Sequence, residues 1–452
     1  MVTTLPNVSR NGEWRVRLPR RGRPVDHIST TCVIAGGGPA GLMAGYLLAR
    51  SGVDVTVLEK HADFLRDFRG DTIHPSTLEI MHELGLLERF LKLPHSEIQH
   101  LTVEIGREKF TVGDFAQVST RCKFLGLMPQ WDFLDFLSHE AKKFPHFRLM
   151  MQTEARDLLI SSKRMAGVLA KGPKGAVLLR AGLTIAADGR HSILRAKSRL
   201  PKTEIGAPFD VLWLKLPLQR GDPVDVIGRV MGGQFFVMLH RGDYWQCALG
   251  IPKGSFEEIR REGITGFRAR LRTIAGFARD RVETITGFDQ VKLLTVAVDR
   301  LGQWARPGFL CIGDAAHAMS PVGGVGVNLA IQDAVAVSNI LGPVMRRGVP
   351  RLGDLKKVQA RREFPTRVIQ WAQVAAQNRI IAPTLRAART PQPPLILKLL
   401  QRYPGLQRIP AQLVGVGVRP EHVRFEKDMN HLGQPRLEIV PPVVTPIHQH
   451  RR

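Results

Sequence analysis

Three glycines and one acidic residue near the N-terminus carry the clearest chemistry in this sequence. Gly36, Gly38 and Gly41 have the spacing G-x-G-x-x-G, and Glu59 follows at the end of a later apolar run. Glycines at this spacing permit a tight turn and let backbone N–H groups approach a pyrophosphate. An acid about 20 residues further on can bind a ribose hydroxyl. These residue types therefore predict a dinucleotide-binding site.

The elements that must position these residues are indicated by the hydrophobic pattern. Residues 32–35 form a short apolar run typical of a buried strand, and Pro39–Arg50 has the apolar periodicity of a helix. A second apolar run, residues 53–58, ends immediately before Glu59. A strand, a glycine turn, a helix and a second strand make up the complete unit that a dinucleotide site requires. An unrelated glycine-rich turn is therefore the less favoured interpretation.

Two later stretches have similar chemistry. Asp188 and Gly189 follow an apolar run and begin the pattern D-G-x-x-S-x-x-R, although a D-G pair alone is a common turn. Asp314 follows another apolar run, and Gly324 and Gly326 precede a predicted helix. Glycines before a helix start can form a backbone cradle for an anion or a carbonyl group.

Length and composition indicate which classes of protein this chain can belong to. A chain of 452 residues with 44% apolar content is expected to fold into two or three domains. It has no run of eighteen apolar residues, so no transmembrane helix is predicted. Its four cysteines lie far apart without a C-x-x-C pair, which favours reduced thiols in a cytoplasmic protein over a disulfide framework or a metal site.

The net charge of +25 is large but spread along the chain. Because no nucleic-acid-binding motif accompanies it, we expect a solvated basic surface and no nucleic acid partner. Residues 391–418 combine apolar and basic side chains with several prolines. Weak, salt-sensitive contact with a membrane surface is one interpretation of that segment, while core packing or a dimer contact is the alternative.

Together, residues 36–59, 188–195 and 313–328 resemble the FAD-dependent aromatic hydroxylases, the single-component flavoprotein monooxygenases of the para-hydroxybenzoate hydroxylase type. The resemblance implies an α/β fold: an FAD-binding, Rossmann-like domain of the glutathione reductase type, with an inserted, mostly antiparallel β-sheet substrate domain and a helical C-terminal part. It also implies NADPH or NADH as co-substrate. The activity it implies is hydroxylation of an aromatic or related planar small molecule through a flavin hydroperoxide.

The resemblance further implies roles for individual residues. The residues expected to bind FAD are Gly36, Gly38, Pro39, Ala40, Gly41, Glu59, Lys60, Arg69, Gln130, Asp188, Gly189, Asp314, Gly324, Gly326, Val327 and Asn328. Asp314 would bind the ribityl hydroxyls. Pro321 would lie beside the reacting flavin edge, and Pro321 and His240 are the candidate catalytic residues. His317 is expected to position its loop rather than to act in catalysis.

A substrate pocket is predicted on the inserted sheet. Phe236, Met238 and His240 share one strand face by period two, and Trp245 lies near the start of the next strand. We expect these four side chains to line the pocket, with ordinary core packing as the alternative for each.

The expected domains follow from these assignments. They are a basic arm (1–29), an FAD-binding domain (30–105, 125–200 and 299–345), a substrate domain (106–124 and 201–298), a helical region (346–420) and an irregular tail (421–452). Either a monomer or a homodimer is expected.

Two other functions stay open from the sequence. One is a flavin-dependent reductase, oxidase or halogenase on the same fold, although residues 213–217 do not match the W-x-W-x-I-P segment of such halogenases. The other is a non-catalytic protein that binds flavin or associates peripherally with a membrane through its basic surface.

Overall fold

The structure is a computed structural model that describes residues 26–65, 72–223 and 226–424. The first ten strands are β1 (Asp26–Ala35), β2 (Val55–Leu58), β3 (Thr72–Ile73), β4 (Ser96–Ile98), β5 (His100–Ile105), β6 (Glu108–Asp114), β7 (Leu125–Leu127), β8 (Phe147–Met150), β9 (Glu154–Ser161) and β10 (Arg164–Gly172). The others are β11 (Gly175–Ala186), β12 (Lys202–Glu204), β13 (Phe209–Pro217), β14 (Val226–Met231), β15 (Gln234–His240), β16 (Tyr244–Pro252), β17 (Lys292–Leu294), β18 (Asp299–Leu301), β19 (Ala305–Arg306) and β20 (Phe309–Cys311).

The helices alternate with these strands and then follow them. They are α1 (Pro39–Arg50), α2 (Pro75–Glu83), α3 (Leu87–Phe90), α4 (Gln130–Ala141), α5 (Ile193–Ser198), α6 (Phe256–Arg261), α7 (Gly263–Ile274), α8 (Gly326–Arg347), α9 (Leu352–Ala376), α10 (Ala382–Arg386), α11 (Leu395–Arg402) and α12 (Arg408–Gly415). A π-helical turn, Gln377–Ile381, joins α9 to α10.

The larger sheet carries the nucleotide-binding unit. Its path is β19–β20–β11–β1–β2–β8, and β10 and β9 extend it from the first half of β11. β1 pairs in parallel with β2 and with β11, and its residues from Cys32 to Ala35 are fully buried and apolar. Such a run is typical of a central parallel strand that is covered on both faces. α1 packs against α8 over this sheet, so the α/β fold expected for the first domain is confirmed.

The second sheet has the order β17–β13–β16–β15–β14–β5–β6. Its β14–β5 pair is parallel and its other pairs are antiparallel. On one face, Phe267, Leu271 and Ile274 of α7 are buried against side chains of β13, β15 and β16. An inserted, mostly antiparallel sheet is therefore confirmed.

Two of the expected boundaries are corrected by the strand pairing. Residues 100–105 form β5, which pairs with β6 and β14 and so belongs to the second sheet rather than to the FAD-binding domain. β1 begins to pair with β11 at Asp26, so residues 26–29 are not part of an arm. Glu421 forms ion pairs with Arg361 and Arg362 of α9, so the start of the expected tail packs on the fold. Residues 1–25 and 425–452 lie outside the described part of the chain.

One described helix is long and apolar enough to cross a membrane by length and composition. It spans Val322–Arg347, and 67% of its apolar window is buried inside the protein. Because α1 and α9 pack against it, this segment serves as the core helix of the first domain.

Candidate functional site

In the glycine turn between β1 and α1, backbone atoms come so close to Gly36 and Gly41 that neither position has room for a side chain. Gly36 has φ +106°, and a Cβ atom there would lie 2.3 Å from the Ala187 carbonyl oxygen. A Cβ atom on Gly41 would lie 1.9 Å from the Gly36 oxygen. Gly38 differs, because its backbone is extended and a Cβ atom there would meet no protein atom within 4 Å. Open space therefore lies in front of the N-terminus of α1.

That open space suits a phosphate group. α1 begins at Pro39, and the first N–H groups of a helix have no partner within the helix, so they and the helix dipole attract an anion. Ala40, next in the helix, is buried against the sheet. The turn can therefore hold the pyrophosphate of FAD, and the residues present fit that group.

Glu59 lies at the end of β2, beside this turn. Its Oε2 accepts a hydrogen bond from the Gly37 N–H (3.0 Å), and its Oε1 accepts one from the His61 N–H (3.0 Å). These bonds hold the carboxylate at the edge of the glycine turn, where a ribose would lie. Lys60 is exposed next to it. Arg69 lies outside the described residues.

The Asp188 motif forms a helix cap. The Asp188 carboxylate accepts hydrogen bonds from the Ser192 hydroxyl and from the N–H of Ile193 (2.9 Å) at the start of α5. Burial raises the pKa of Asp188, and the bonds from Ser192 and the backbone oppose that rise. Gly189 has φ +83°, which suits glycine at this turn. The first residues of the motif are thus bound to one another.

Arg195, the last residue of the Asp188 motif, links that motif to the stretch that contains Asp314. Arg195 is buried and donates hydrogen bonds to the carbonyl oxygens of Ala315 (3.2 Å) and Arg190 (2.6 Å). Arg190 in turn lies 3.5 Å from the Asp314 carboxylate, which is about one-third exposed. The structure therefore brings together two motifs that are more than a hundred residues apart in the sequence.

A basic, solvent-open cavity of about 380 Å³ lies beside these residues. It is lined by Arg190, His191, Ser192, Arg195, Ala196, Leu200 and Lys202. Three of these side chains are cationic, and each pairs with a carboxylate: Arg190 with Asp314, Arg195 with Asp299, and Lys202 with Glu204 and Asp299.

A buried charge network supports the Asp314 loop from behind. Asp333 of α8 accepts hydrogen bonds from the Gly313 N–H (3.0 Å), from His317 Nε2 (2.6 Å) and from Arg362 Nε (3.0 Å). Burial acts to raise the pKa of Asp333, but His317 and Arg362 outweigh it and the pKa is lowered. His317 is fully buried in this network, which agrees with the positioning role expected for it.

Asp333 and Arg362 were missed by reasoning from the sequence. The available signal was an acid inside the otherwise uncharged first half of α8, between Ile331 and Val337. A buried acid requires a cation, but the sequence does not indicate which of many arginines supplies it.

Asn328 ties the second glycine cradle to the first domain. Its Oδ1 accepts hydrogen bonds from the His74 N–H (2.9 Å) and the Thr77 hydroxyl (2.7 Å), and its Nδ2 donates to the Thr72 carbonyl oxygen (3.2 Å). Gly324 has φ +64° and lies against Thr72. The Asn328 side chain is therefore used in holding the loop.

The backbone at the start of α8 faces a second open space. A Cβ atom on Gly326 would meet no protein atom within 4 Å, and Val327 is half-buried beside it. The first N–H groups of α8 are available to a carbonyl or anionic group in the same way as those of α1. Gln130, at the start of α4, is half-buried.

The loop of Pro321 is held by a glutamine of α9. Gln373 Nε2 donates hydrogen bonds to the carbonyl oxygens of Ser320 (3.0 Å) and Val322 (2.8 Å), on either side of Pro321. Val322 packs against an apolar cluster that contains Phe209, Val211 and Ala248 of the second sheet together with Ile381. This loop therefore lies between the glycine cradle of α8 and an apolar sheet surface.

The predicted substrate pocket is corrected by the packing of β15. Phe236, Met238 and Trp245 are fully buried in the core beneath α7. The His240 ring contacts Trp245 edge-to-face at 5.4 Å, and its Nδ1 lies 3.4 Å from the Ser96 hydroxyl. The alternation along the strand is as expected, but these side chains face the covering helices.

The other face of β15 approaches the Pro321 loop. Phe235 and Val237 are half-buried in the cluster that contains Val322, and Leu239 packs with Val414 of α12. Both faces of the strand are apolar, so its period of two could not decide which face meets the loop. Among the described residues, no group of three His, Cys, Asp or Glu side chains could hold a metal ion.

Comparisons with known proteins agree with this geometry. The profile of the FAD binding domain family matches residues 29–372. The chain is 29% identical over 414 residues to the 6-methylpretetramide 4-monooxygenase of Streptomyces rimosus, a match that covers 91% of this chain and 98% of that enzyme.

Two solved structures share the fold. The p-nitrophenol 4-monooxygenase from Pseudomonas putida has a TM-score of 0.69 at 20% identity, covering 86% of this chain and 97% of that one. Anhydrotetracycline hydroxylase from Streptomyces rimosus has a TM-score of 0.67 at 21% identity, covering 86% and 76%. With its glycine turn, its second cradle and a family match over residues 29–372, the chain belongs to the FAD binding domain family and is an FAD-dependent monooxygenase.

Proposed function

We propose that this enzyme inserts one oxygen atom from O2 into an aromatic or related planar small molecule, with NADPH or NADH as electron donor. The observation that carries the proposal is the position of the Pro321 loop. On one side it continues into the glycine cradle at the start of α8, and on the other Val322 packs against the apolar cluster that contains Phe209 and Val211 of the second sheet. A planar apolar substrate on that face would lie next to the cofactor.

The residues of this chain would bind, orient and shield the cofactor. The α1 N-terminus would hold the pyrophosphate, Glu59 the adenosine ribose and Asp314 the ribityl hydroxyls. The N–H groups at the start of α8 would stabilise negative charge on the flavin ring. FAD supplies the redox and oxygen chemistry when bound, while the apolar walls at Phe235 and Val237 exclude water from it.

The basic cavity beside the Asp188 motif supports the use of a nicotinamide coenzyme. NADPH and NADH both carry a pyrophosphate, and Arg190 and Lys202, which pair with Asp314 and Glu204, would offer N–H donors to it at an open surface. We further propose a cytoplasmic enzyme that is a monomer or a homodimer.

The test is an assay of the purified, yellow protein. Two similar enzymes are named for 6-methylpretetramide and p-nitrophenol, which supports beginning the substrate search with phenols. We expect a substrate to stimulate NAD(P)H oxidation and to yield a product one oxygen atom heavier, labelled when 18O2 is supplied.

Other results would identify the alternatives. NAD(P)H oxidation without an oxygenated product would indicate a reductase or an oxidase. A product formed only with halide would indicate a halogenase, and flavin binding without any turnover across the panel would indicate a non-catalytic protein.

A further inference from the structure

We propose that helix α11 is a docking surface for a membrane that contains anionic lipids. Eight of the thirteen exposed large apolar side chains in the described residues lie between residues 364 and 409. Four of them form one group on and just after this helix: Leu395, Ile396, Leu399 and Tyr403, which are 83, 56, 43 and 55% exposed. We call this group the α11 face.

The α11 face occupies one side of the helix. At about 100° per residue, its four side chains project within an arc of about 100°. Leu397 projects to the opposite side of the helix and packs on the cluster of β5, β6 and β14, and Leu400, about 40° beyond the Ile396 edge of the arc, is buried. Arg402 and Lys398 lie about 20° and about 60° beyond the Leu395 edge. The protein therefore anchors one side of α11 and leaves its apolar side uncovered, with the two cations along one border.

The segment that carries this face has charges of one sign. No aspartate or glutamate occurs from residue 364 to residue 420, whereas that stretch contains eight basic residues. They are Arg367, Arg379, Arg386, Arg389, Lys398, Arg402, Arg408 and Arg419. Strand β6, on which α11 packs, has one exposed acid, Glu108, which lies between Arg107 and Lys109. The partner of this face should therefore carry negative charge.

An anionic membrane satisfies both features. An interfacial helix buries its apolar side at the boundary of headgroups and acyl chains and places basic side chains among anionic headgroups. A second copy of the chain is less suitable, because two such faces would bring like charges together without an acid from residues 364–420 to balance them.

The position of α11 gives such docking a consequence for the site. The neighbouring α10 contacts β15 and β16, and the following α12 carries Val414, which packs beside Leu239. A membrane held at α11 would lie next to the elements that cover the apolar face of the second sheet. Docking itself does not depend on which substrate the enzyme takes.

Co-sedimentation of the FAD-loaded, full-length protein with vesicles tests the proposal. We expect binding to vesicles of phosphatidylglycerol mixed with phosphatidylcholine at low salt, release at high salt, and no binding to phosphatidylcholine alone. The double variant Lys398→Gln/Arg402→Gln should bind about 30-fold more weakly, because each basic residue near an anionic surface contributes about fivefold. Leu395→Ser/Leu399→Ser should weaken binding at least about tenfold.

Matched controls use exposed side chains elsewhere. Lys171→Gln/Arg180→Gln, on β10 and β11, and Ile160→Ser, on β9, should bind like the unmodified protein. Flavin absorbance and thermal unfolding of every variant establish that it is folded.

Several results would overturn the proposal. The protein could stay in the supernatant with anionic vesicles, or the α11 variants could bind as well as the controls. Light scattering could instead show a dimer that Leu395→Ser/Leu399→Ser converts to a monomer, which would assign the face to a second copy. Binding that is lost when residues 425–452 are removed would assign it to that segment.

Discussion

Arg362 Nε donates a 3.0 Å hydrogen bond to the Asp333 carboxylate, and neither side chain reaches solvent. The same carboxylate accepts the Gly313 N–H, so this ion pair sets the position of the Asp314 loop. The network reaches this loop through the Gly313 backbone N–H and the His317 side chain.

Replacement of the buried Arg362 should strongly lower the stability of the fold. Arg362→Leu removes the cation that pairs with the buried carboxylates of Asp333 and Glu421. Because those charges stay buried, we expect the free energy of unfolding to fall by about 3–5 kcal/mol. Arg361→Leu is the matched control, because Arg361 pairs with Glu421 from a partly exposed position and should cost about 1 kcal/mol. Urea unfolding of both FAD-loaded variants measures the difference, and equal losses would contradict the burial argument.

The open space at Gly38 gives a test of cofactor binding. Gly38→Ala adds a methyl group that meets no protein atom, so the fold should change in stability by less than about 1 kcal/mol. The methyl group would occupy the approach to the pyrophosphate, and we expect FAD affinity to fall about tenfold or more. Fluorescence titration with FAD measures it. Gly353→Ala, also in open space, should bind FAD normally; unchanged affinity in Gly38→Ala would place the pyrophosphate elsewhere.

Asp314 provides a second test of the cofactor site. Asp314→Ala removes the acceptor proposed for the ribityl hydroxyls, and charged hydrogen bonds contribute about 1.5–3 kcal/mol each. FAD should therefore dissociate at least about tenfold more readily. The exposed Asp280→Ala is the control. Equal FAD affinity in both variants would remove Asp314 from the site.

The two faces of β15 should respond differently to substitution. Phe236→Ala creates a cavity under α7 and should cost about 3–5 kcal/mol of stability, with or without substrate. Val237→Ala, on the opposite face, should cost less and should change the KM or the coupling of NAD(P)H oxidation to product. If Phe236→Ala changed the choice of substrate at unchanged stability, the substrate would bind on the α7 side.

His74 should make stability depend on pH. Its Nδ1 lies 2.6 Å from the Val414 carbonyl oxygen, and burial lowers its pKa from the ordinary 6.5 to about 4, although the bonds to the backbone oppose that change. Between pH 4 and 6.5 the unfolded chain binds more protons at this residue than the folded protein does, so stability should fall as the pH is lowered through that window. Over the whole window, His74 should lower the free energy of unfolding by about 3 kcal/mol.

The contribution of His74 can be isolated by substitution. His74→Asn retains a side-chain N–H for Val414 without a titrating ring, so its unfolding free energy should vary less between pH 4 and 6.5. The exposed His146→Asn should retain the full pH dependence. An unchanged slope in His74→Asn would show that other groups cause the acid destabilisation.

The local units of this fold could be predicted from the sequence because each is specified by neighbouring residues. The run from Cys32 to Glu59 contains its own strand, turn, helix and acid, and the structure has them as β1, α1 and β2. The turn between β5 and β6 is equally local, since it is made at Gly106, which has φ +63°.

The long-range features could not be predicted in the same way. β5 joins the second sheet through a parallel pairing with β14, whose residues lie over a hundred positions later. The choice of face on β15 depends on where α7 and the Pro321 loop pack, and the partner of Asp333 depends on how α9 crosses α8. Each is a property of tertiary packing, which a pattern of period two or 3.6 does not encode.

The pairing of β11 has a consequence for how the protein folds while it is synthesised on the ribosome. β11 pairs with β1, at the start of the fold, and its last residues pair with β20, which begins at Phe309. At about 5–20 residues per second, roughly 12–50 seconds of synthesis separate the emergence of β2 from that of β20. During that interval the nascent chain has apolar strands with an unfinished edge. We expect the nascent chain to depend on chaperones that shield strand edges until the last third of the chain has emerged.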